Sequence, residues 1–265
     1  MLMLILSRFA FLIFVLLKNI SPAEVDAPHG KFLYENLGCT TKDGGNSYEC
    51  NIVSKDHCIF EGKTFRVGEK ISDLGITANC FVNCTCLEGG SIKCDEDFCT
   101  SNIEFDHPEC NYKYPTDSCC PVLSCDPPKM NCTIKNITEI EGALFFPEDT
   151  CLVCFCQEGF SEKLEEPYCR KRRCFDQLEN SKNLLNKCAP MYINRDCCPA
   201  FWICNEKQKI VKISEDTSKS GLHCEFGNDI VPYGHGFNTT IKDDYDTYKA
   251  MCQCSLPPLL TCLDF

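Results

Sequence analysis

Tryptophan occurs once in this chain and histidine five times, and 26 lysines and arginines face 38 aspartates and glutamates. Each shortage closes a class of function. The histidines are His29, His57, His107, His223 and His235, and none sits in H-E-x-x-H, the helical pair that a zinc protease needs. No G-x-S-x-G elbow presents a serine nucleophile. The carboxylates are scattered through turn-like segments and nominate no acid–base pair. The expectation is a chain that is not an enzyme and needs no cofactor. A formal net charge of −12 argues against a dedicated nucleic-acid binder, because phosphate contacts demand clustered cations. Long apolar runs are missing too. Phe9–Leu17, between Arg8 and Lys18, falls well short of the roughly twenty residues of a membrane span, and no other long run follows.

What the chain has in abundance is cysteine, 26 in 265 residues. The short apolar run ahead of Ser21-Pro22-Ala23 reads as a signal peptide over 1–23, cleaved after Ala23, with an uncleaved anchor as the alternative. That places the mature chain outside the cell, where an even number of cysteines can pair completely. Zinc binding by Cys84-Thr85-Cys86 or Cys154-Phe155-Cys156 is the weaker reading, since secretion favours disulfides.

The cysteines fall in an order that recurs. Cys58, Cys80, Cys84, Cys86, Cys94, Cys99, Cys110, Cys119, Cys120 and Cys125 form one block. Cys132, Cys151, Cys154, Cys156, Cys169, Cys174, Cys188, Cys197, Cys198 and Cys204 repeat it, with C-x-C early and Cys-Cys late. Residues 58–125 and 132–204 therefore read as tandem modules joined by the proline-stiffened linker 126–131. Modules this small need staples, and a disulfide closing about 15 residues contributes roughly 3 kcal/mol. In each module alternating apolar residues near Glu61–Gly68 and Glu141–Phe145 predict a strand, and Cys84–Cys94 predicts strand, Gly89-Gly90 turn and strand. The second halves, rich in Pro and Asp, are expected to be irregular. Ahead of them, residues 24–57 read as an arm with a Lys42–Asn46 turn and a small hairpin closed by Cys39–Cys50, or else as a flexible arm whose cysteines pair elsewhere. Residues 205–223 are polar and read as a flexible linker. Residues 224–265 keep Cys224, Cys252, Cys254 and Cys262 and the glycine–aromatic signal Gly234–Phe237, and read as a third module cut off after its first half.

This order, with the G-x-x-F strand, resembles the von Willebrand factor type C domain, in an architecture similar to chordin-like, kielin-like and crossveinless-type secreted proteins. The resemblance implies small disulfide-rich, β-rich modules, two in tandem plus a truncated third. The pairing it implies is Cys58–Cys86, Cys80–Cys119, Cys84–Cys94, Cys99–Cys120 and Cys110–Cys125 in the first module. In the second it is Cys132–Cys156, Cys151–Cys197, Cys154–Cys169, Cys174–Cys198 and Cys188–Cys204. The third keeps Cys224–Cys254 and Cys252–Cys262, which leaves Cys39 and Cys50 for each other. The resemblance also implies an extracellular protein ligand, a bone morphogenetic protein or other TGF-β-type growth factor, occluded or presented without bond chemistry. By the same analogy the arm and first module would make the contact, with Phe65 and Val67 in the strand. The rival readings are a structural matrix component, a secreted defence factor and, more weakly, a protease inhibitor.

Four sequons, at Asn83, Asn131, Asn136 and Asn238, are glycosylation candidates; the first two carry cysteine in the middle position, which favours Asn136 and Asn238. Asn19 lies in the signal peptide. Arg170-Lys171-Arg172-Arg173 bridges Cys169 and Cys174, where the first module has Asp95-Glu96-Asp97-Phe98. It reads as a heparan sulfate site, a furin-type R-x-[KR]-R cleavage site or a solvated linker. Asp243-Asp244-Tyr245-Asp246 lacks the spacing of a calcium loop and reads as a solvated turn. Phe201-Trp202-Ile203 is either an exposed contact or a small core.

Overall fold

Apolar runs of two to eight residues between glycine, asparagine and proline turns can build only short ladders, and ladders are what the chain forms. A computed structural model describes residues 30–51, 54–71, 81–96, 99, 110–116, 118–148, 150–194, 196–204, 208–214, 219 and 221–265. The signal peptide expected at 1–23 and the Cys80 half of Cys80–Cys119 lie outside these residues.

The chain opens on a helix, α1, covering residues 30–36, and the hairpin β1 (Thr40–Lys42) and β2 (Ser47–Glu49). The first cysteine block then forms a ladder of β3 (Cys58–Phe60) with β4 (Lys63–Phe65), a three-stranded sheet of β5 (Lys70–Ile71), β6 (Phe81–Cys86) and β7 (Ile92–Glu96), and a ladder of β8 (Asn111–Lys113) with β9 (Val122–Ser124). The second block repeats the plan. Its elements are β10 (Asn131–Ile134) with β11 (Ile137–Ile140), the sheet β12 (Leu144–Phe145), β13 (Leu152–Phe155) and β14 (Cys169–Lys171), the helices α2 (Asp176–Glu179) and α3 (Ser181–Leu185), and β15 (Ala189–Tyr192) with β16 (Phe201–Ile203). After β17 (Val211–Lys212), the last block gives the ladder β18 (His223–Phe226) with β19 (Asp229–Pro232) and the antiparallel run β20 (His235–Lys242), β21 (Thr247–Gln253) and β22 (Thr261–Asp264).

Disulfides pin each unit. In the first block Cys58 bonds Cys86, Cys84 bonds Cys94, Cys99 bonds Cys120 and Cys110 bonds Cys125. In the second, Cys132 bonds Cys156, Cys151 bonds Cys197, Cys154 bonds Cys169, Cys174 bonds Cys198 and Cys188 bonds Cys204. Cys224 bonds Cys254, Cys252 bonds Cys262 and Cys39 bonds Cys50. The fold is thus small in its parts, β-rich and heavily cross-linked.

Four expectations need correction. First, the described parts of the second halves carry short ladders: β8 pairs β9, and β15 pairs β16, with Cys110–Cys125 and Cys188–Cys204 beside them. Second, the strand motif of the second block aligns with Gly68–Ile71 of the first, not with Gly62–Phe65. Gly68, Gly142 and Gly234 each lie ten residues after the first cysteine of their block. Each donates its N–H to the carbonyl of Cys86, Cys156 or Cys254 at 2.7–2.9 Å. All three hold φ between +77° and +91°, where only glycine escapes a Cβ penalty. Gly62 instead closes the turn of the β3–β4 ladder. Third, the segment expected to be a flexible linker contributes β17, whose Val211 and Lys212 pair with Gly236 and His235 of β20.

Fourth, the last block, expected as a third module of its own cut off after its first half, shares a sheet with the second block. β22 runs parallel to β15, giving a six-stranded sheet in the order β16-β15-β22-β21-β20-β17. One core spans it, with Ala189 and Met191 from the second block and Phe226, Phe237, Ala250 and Leu260 from the last. A second core joins the chain's two ends: Leu33, Tyr34 and Leu37 of the arm pack with Tyr48, Leu184, Leu256 and Leu259. The Tyr34 hydroxyl donates to Leu256 O at 2.8 Å and accepts from Leu259 N–H at 3.0 Å. Burying Leu33 and Tyr34 contributes about 1.5–3 kcal/mol each. Tertiary packing, rather than helix propensity, therefore holds so short a helix as α1.

Candidate functional site

Three parts of the chain meet around Arg170–Arg173. Arg170 and Lys171 lie in β14, whose register pairs them with Val153 and Leu152 of β13. The run lines a cleft of about 690 Å³ together with Glu35 of α1, Glu61 of the first block and Tyr114. Each cation has its own partner. The Arg170 guanidinium lies 4.6 Å from the centre of the Phe155 ring and donates to Thr116 O at 3.4 Å. Burial, followed by the nearby charge of Arg173, lowers its pKa. Lys171 Nζ meets Glu35 Oε2 at 2.7 Å, Arg172 pairs with Asp196, and Arg173 Nε meets Glu61 Oε1 at 3.2 Å. The run therefore ties the arm and the first block to the second, where the sequence pointed to an open polycation.

Beside this clasp the helix α2 reaches into the first block. Leu178 packs against the core of Cys58, Phe60, Ile71, Cys84 and Ile92. The rings of Phe175 and Phe81 meet edge to face at 5.1 Å, and Gln177 Oε1 accepts the Glu61 N–H at 2.8 Å. Asp176, 4% exposed, is the most perturbed acid described; burial pushes its pKa up to about 7, while the Trp202 indole N–H pulls the other way. Trp202 itself is partly buried against the core that joins the chain ends, which answers the sequence alternatives in favour of a core role.

A second surface differs between the blocks. In the second block, Tyr114 N–H donates to Gly142 O at 2.9 Å, Gln157 Nε2 donates to Tyr114 O at 2.7 Å, and Lys113 Nζ meets Glu141 Oε1 at 3.2 Å. The Lys129 N–H and Lys113 lower the Glu141 pKa. In the last block Ile213 and Ser214 N–H donate to Gly234 O at 2.8 and 2.9 Å. A preceding segment thus lies against the glycine edge in both. In the first block the same edge is open: among the described residues, no atom lies within 4 Å of a Cβ built on Gly68. The positions matching Glu141 and Gln157 are Val67 and Leu87, which are 48% and 39% exposed. Phe65 turns the other way and packs against the first-block core. Sequence reasoning missed Leu87, and its place directly after Cys86 was the available signal.

Asn83, Asn131, Asn136 and Asn238 are all exposed. Asp243–Asp246 caps the β20–β21 hairpin, and Asp243 Oδ1 accepts the N–H of Tyr245 and of Asp246.

Structure and surface together define a class: a small-unit, β-rich chain held by many disulfides. Two curated relatives share sequence with it. Human Chordin-like protein 1 is 26% identical over 168 residues, covering 54% of this chain and 33% of that protein. Rat Chordin-like protein 1 is 28% identical over 145 residues, covering 46% of this chain and 28% of that protein. The chain thus matches about a third of these relatives' length. No family model matches the chain, and no solved structure matches it.

Proposed function

We propose that the chain is a secreted binding protein that holds an extracellular growth factor of the BMP/TGF-β type by surface contact, with no bond chemistry of its own. It is built from two type C modules, 58–125 and 132–204, with a truncated third at 224–265. The similarity to Chordin-like protein 1 and the dense disulfides, which suit an oxidising compartment, support this reading. The observation that carries it is the open glycine edge of the first block. Extended backbone lies on the equivalent edge in the other two blocks, so the edge is shaped to take a strand. In the first block, among the described residues, nothing lies on it, and it is flanked by Val67 and Leu87. An apolar strand of a ligand fits there by backbone pairing, with the two side chains as pocket walls. Heparan sulfate is the less favoured partner of Arg170–Arg173, because each of those cations is already engaged within the chain.

The test is a binding measurement of the mature chain against a panel of growth factors. The expected result is binding that weakens by about tenfold or more for Val67→Asp with Leu87→Asp, equivalent to roughly 1.4 kcal/mol. Absence of binding at micromolar concentration would overturn it and leave a structural matrix role.

A further inference from the structure

Tyr245 is 93% exposed, the most exposed of the large hydrophobic side chains described, and nothing in the fold requires an aromatic ring there. It stands at the tip of the β20–β21 hairpin with Asp243 and Asp244 before it and Asp246 after it. The tip is shaped rather than loose: Asp243 Oδ1 accepts the N–H groups of Tyr245 and Asp246 at 2.8 and 2.6 Å. Those bonds keep the Asp243 carboxylate ionised by holding its pKa below the ordinary value. The turn therefore projects one phenol into solvent with aspartates on both sides of it in sequence. A shaped turn explains the acidic residues. It does not explain the phenol.

We propose that Tyr245 is a tyrosine sulfation site. A sulfotransferase must hold a polyanionic donor in a cationic site, so it selects protruding phenols with carboxylate neighbours. The donor class is a nucleotide phosphosulfate. The phenolic oxygen attacks sulfur, an O–S bond forms, the S–O bond to the nucleotide phosphate breaks, and the phenolic proton passes to a base of the transferase. No oxidation or reduction is involved. The structure also selects among the tyrosines. Tyr248, three residues on, has Asp246 two places before it but Thr247 and Lys249 on either side, its ring packs 5.6 Å from Phe201 and its hydroxyl faces Asp246. Tyr168 follows Glu165 and Glu166, yet its hydroxyl donates to Glu158 O at 2.8 Å. Tyr34, Tyr48 and Tyr192 are buried.

The inference rests on the secretory passage proposed above. The full chain is expressed in secreting animal cells fed radiolabelled sulfate, and the protein in the medium is freed of N-glycans before counting and peptide mass measurement. One sulfate on the Tyr245 peptide is expected, lost in Tyr245→Phe, retained in Tyr248→Phe and reduced several-fold in Asp243→Asn with Asp244→Asn. Secreted protein without sulfate at Tyr245, or with a phosphatase-sensitive phosphate in its place, overturns the inference and leaves the secretion reading standing. A chain retained in the cytosol overturns both.

Discussion

Asp176 is the residue whose environment departs furthest from its chemistry. Its side chain is buried beside Trp202 and Asn180, with Glu179 adding like charge, and its pKa rises from 3.8 to about 7. Asp176 Oδ2 and Trp202 Nε1 face the same buried space without a well-aligned hydrogen bond. A carboxyl raised in the folded state binds its proton more tightly there than in the unfolded chain. Its contribution to stability is thus full below pH 4 and is lost as pH rises through 7, on the order of a few kcal/mol. Asp176→Asn should therefore raise the unfolding midpoint at pH 8 and flatten the slope between pH 4 and 8, as read by chemical denaturation. An unchanged slope would count against the buried charge. The glycine edge supplies a paired comparison. A Cβ at Gly142 would lie 2.9 Å from Lys113 Cα, whereas at Gly68 only the positive φ resists it. Gly68→Ala should cost about 1–2 kcal/mol from backbone strain, and Gly142→Ala clearly more. Equal costs would mean that the Tyr114 segment does not rest on Gly142.

At the scale of elements, the chain's stability is distributed through docking rather than through any one ladder. Two- and three-stranded sheets are marginal alone. β15 gains a second neighbour from β22, and α1 gains its apolar floor from Leu256 and Leu259. A chain ending at Cys204 should lose both. Hydrogen exchange in residues 30–51 should then accelerate by an order of magnitude or more, since local opening no longer breaks the Tyr34 bonds. Unchanged protection would show that the arm folds independently of the last block. The ion pairs Lys171–Glu35 and Arg173–Glu61 are partly exposed, and such pairs are worth about 0–1 kcal/mol each. Lys171→Ala with Arg173→Ala should leave the melting temperature within a few degrees. It should still speed proteolysis between the arm and the second block, because the pairs set position more than stability.

At the scale of the whole molecule, the described residues form several small cores in place of one large one. Cores of this size rarely stabilise more than a few kcal/mol, so the bridges must restrict the unfolded chain. Reduction under native conditions should abolish cooperative unfolding and expose dye-binding apolar surface. A reduced chain that kept a sharp transition would shift the weight to packing. Cys151–Cys197 also spans Arg170–Arg173. A cut within that run would therefore leave the fragments linked on a non-reducing gel and separate them only on a reducing one.

The sequence by itself determined the local grammar. Cysteine order and spacing mark the blocks, Gly-rich turns mark the hairpins, and acidic balance and absent motifs narrow the chemistry, because these depend on residues close together along the chain. Only the tertiary structure decided the rest. The helix α1 was illegible because so short a helix forms only against Leu256 and Leu259, which lie more than two hundred residues away. Arg170–Arg173 looked like a free polycation because its partners Glu35 and Glu61 are remote in sequence. The last block read as a module of its own because a parallel pairing of β22 with β15 leaves no local pattern. Val67 and Leu87 stand out only when three glycine edges are compared and two are found covered. Burial and pairing between distant segments are properties of the packed chain, and no run of neighbouring residues encodes them.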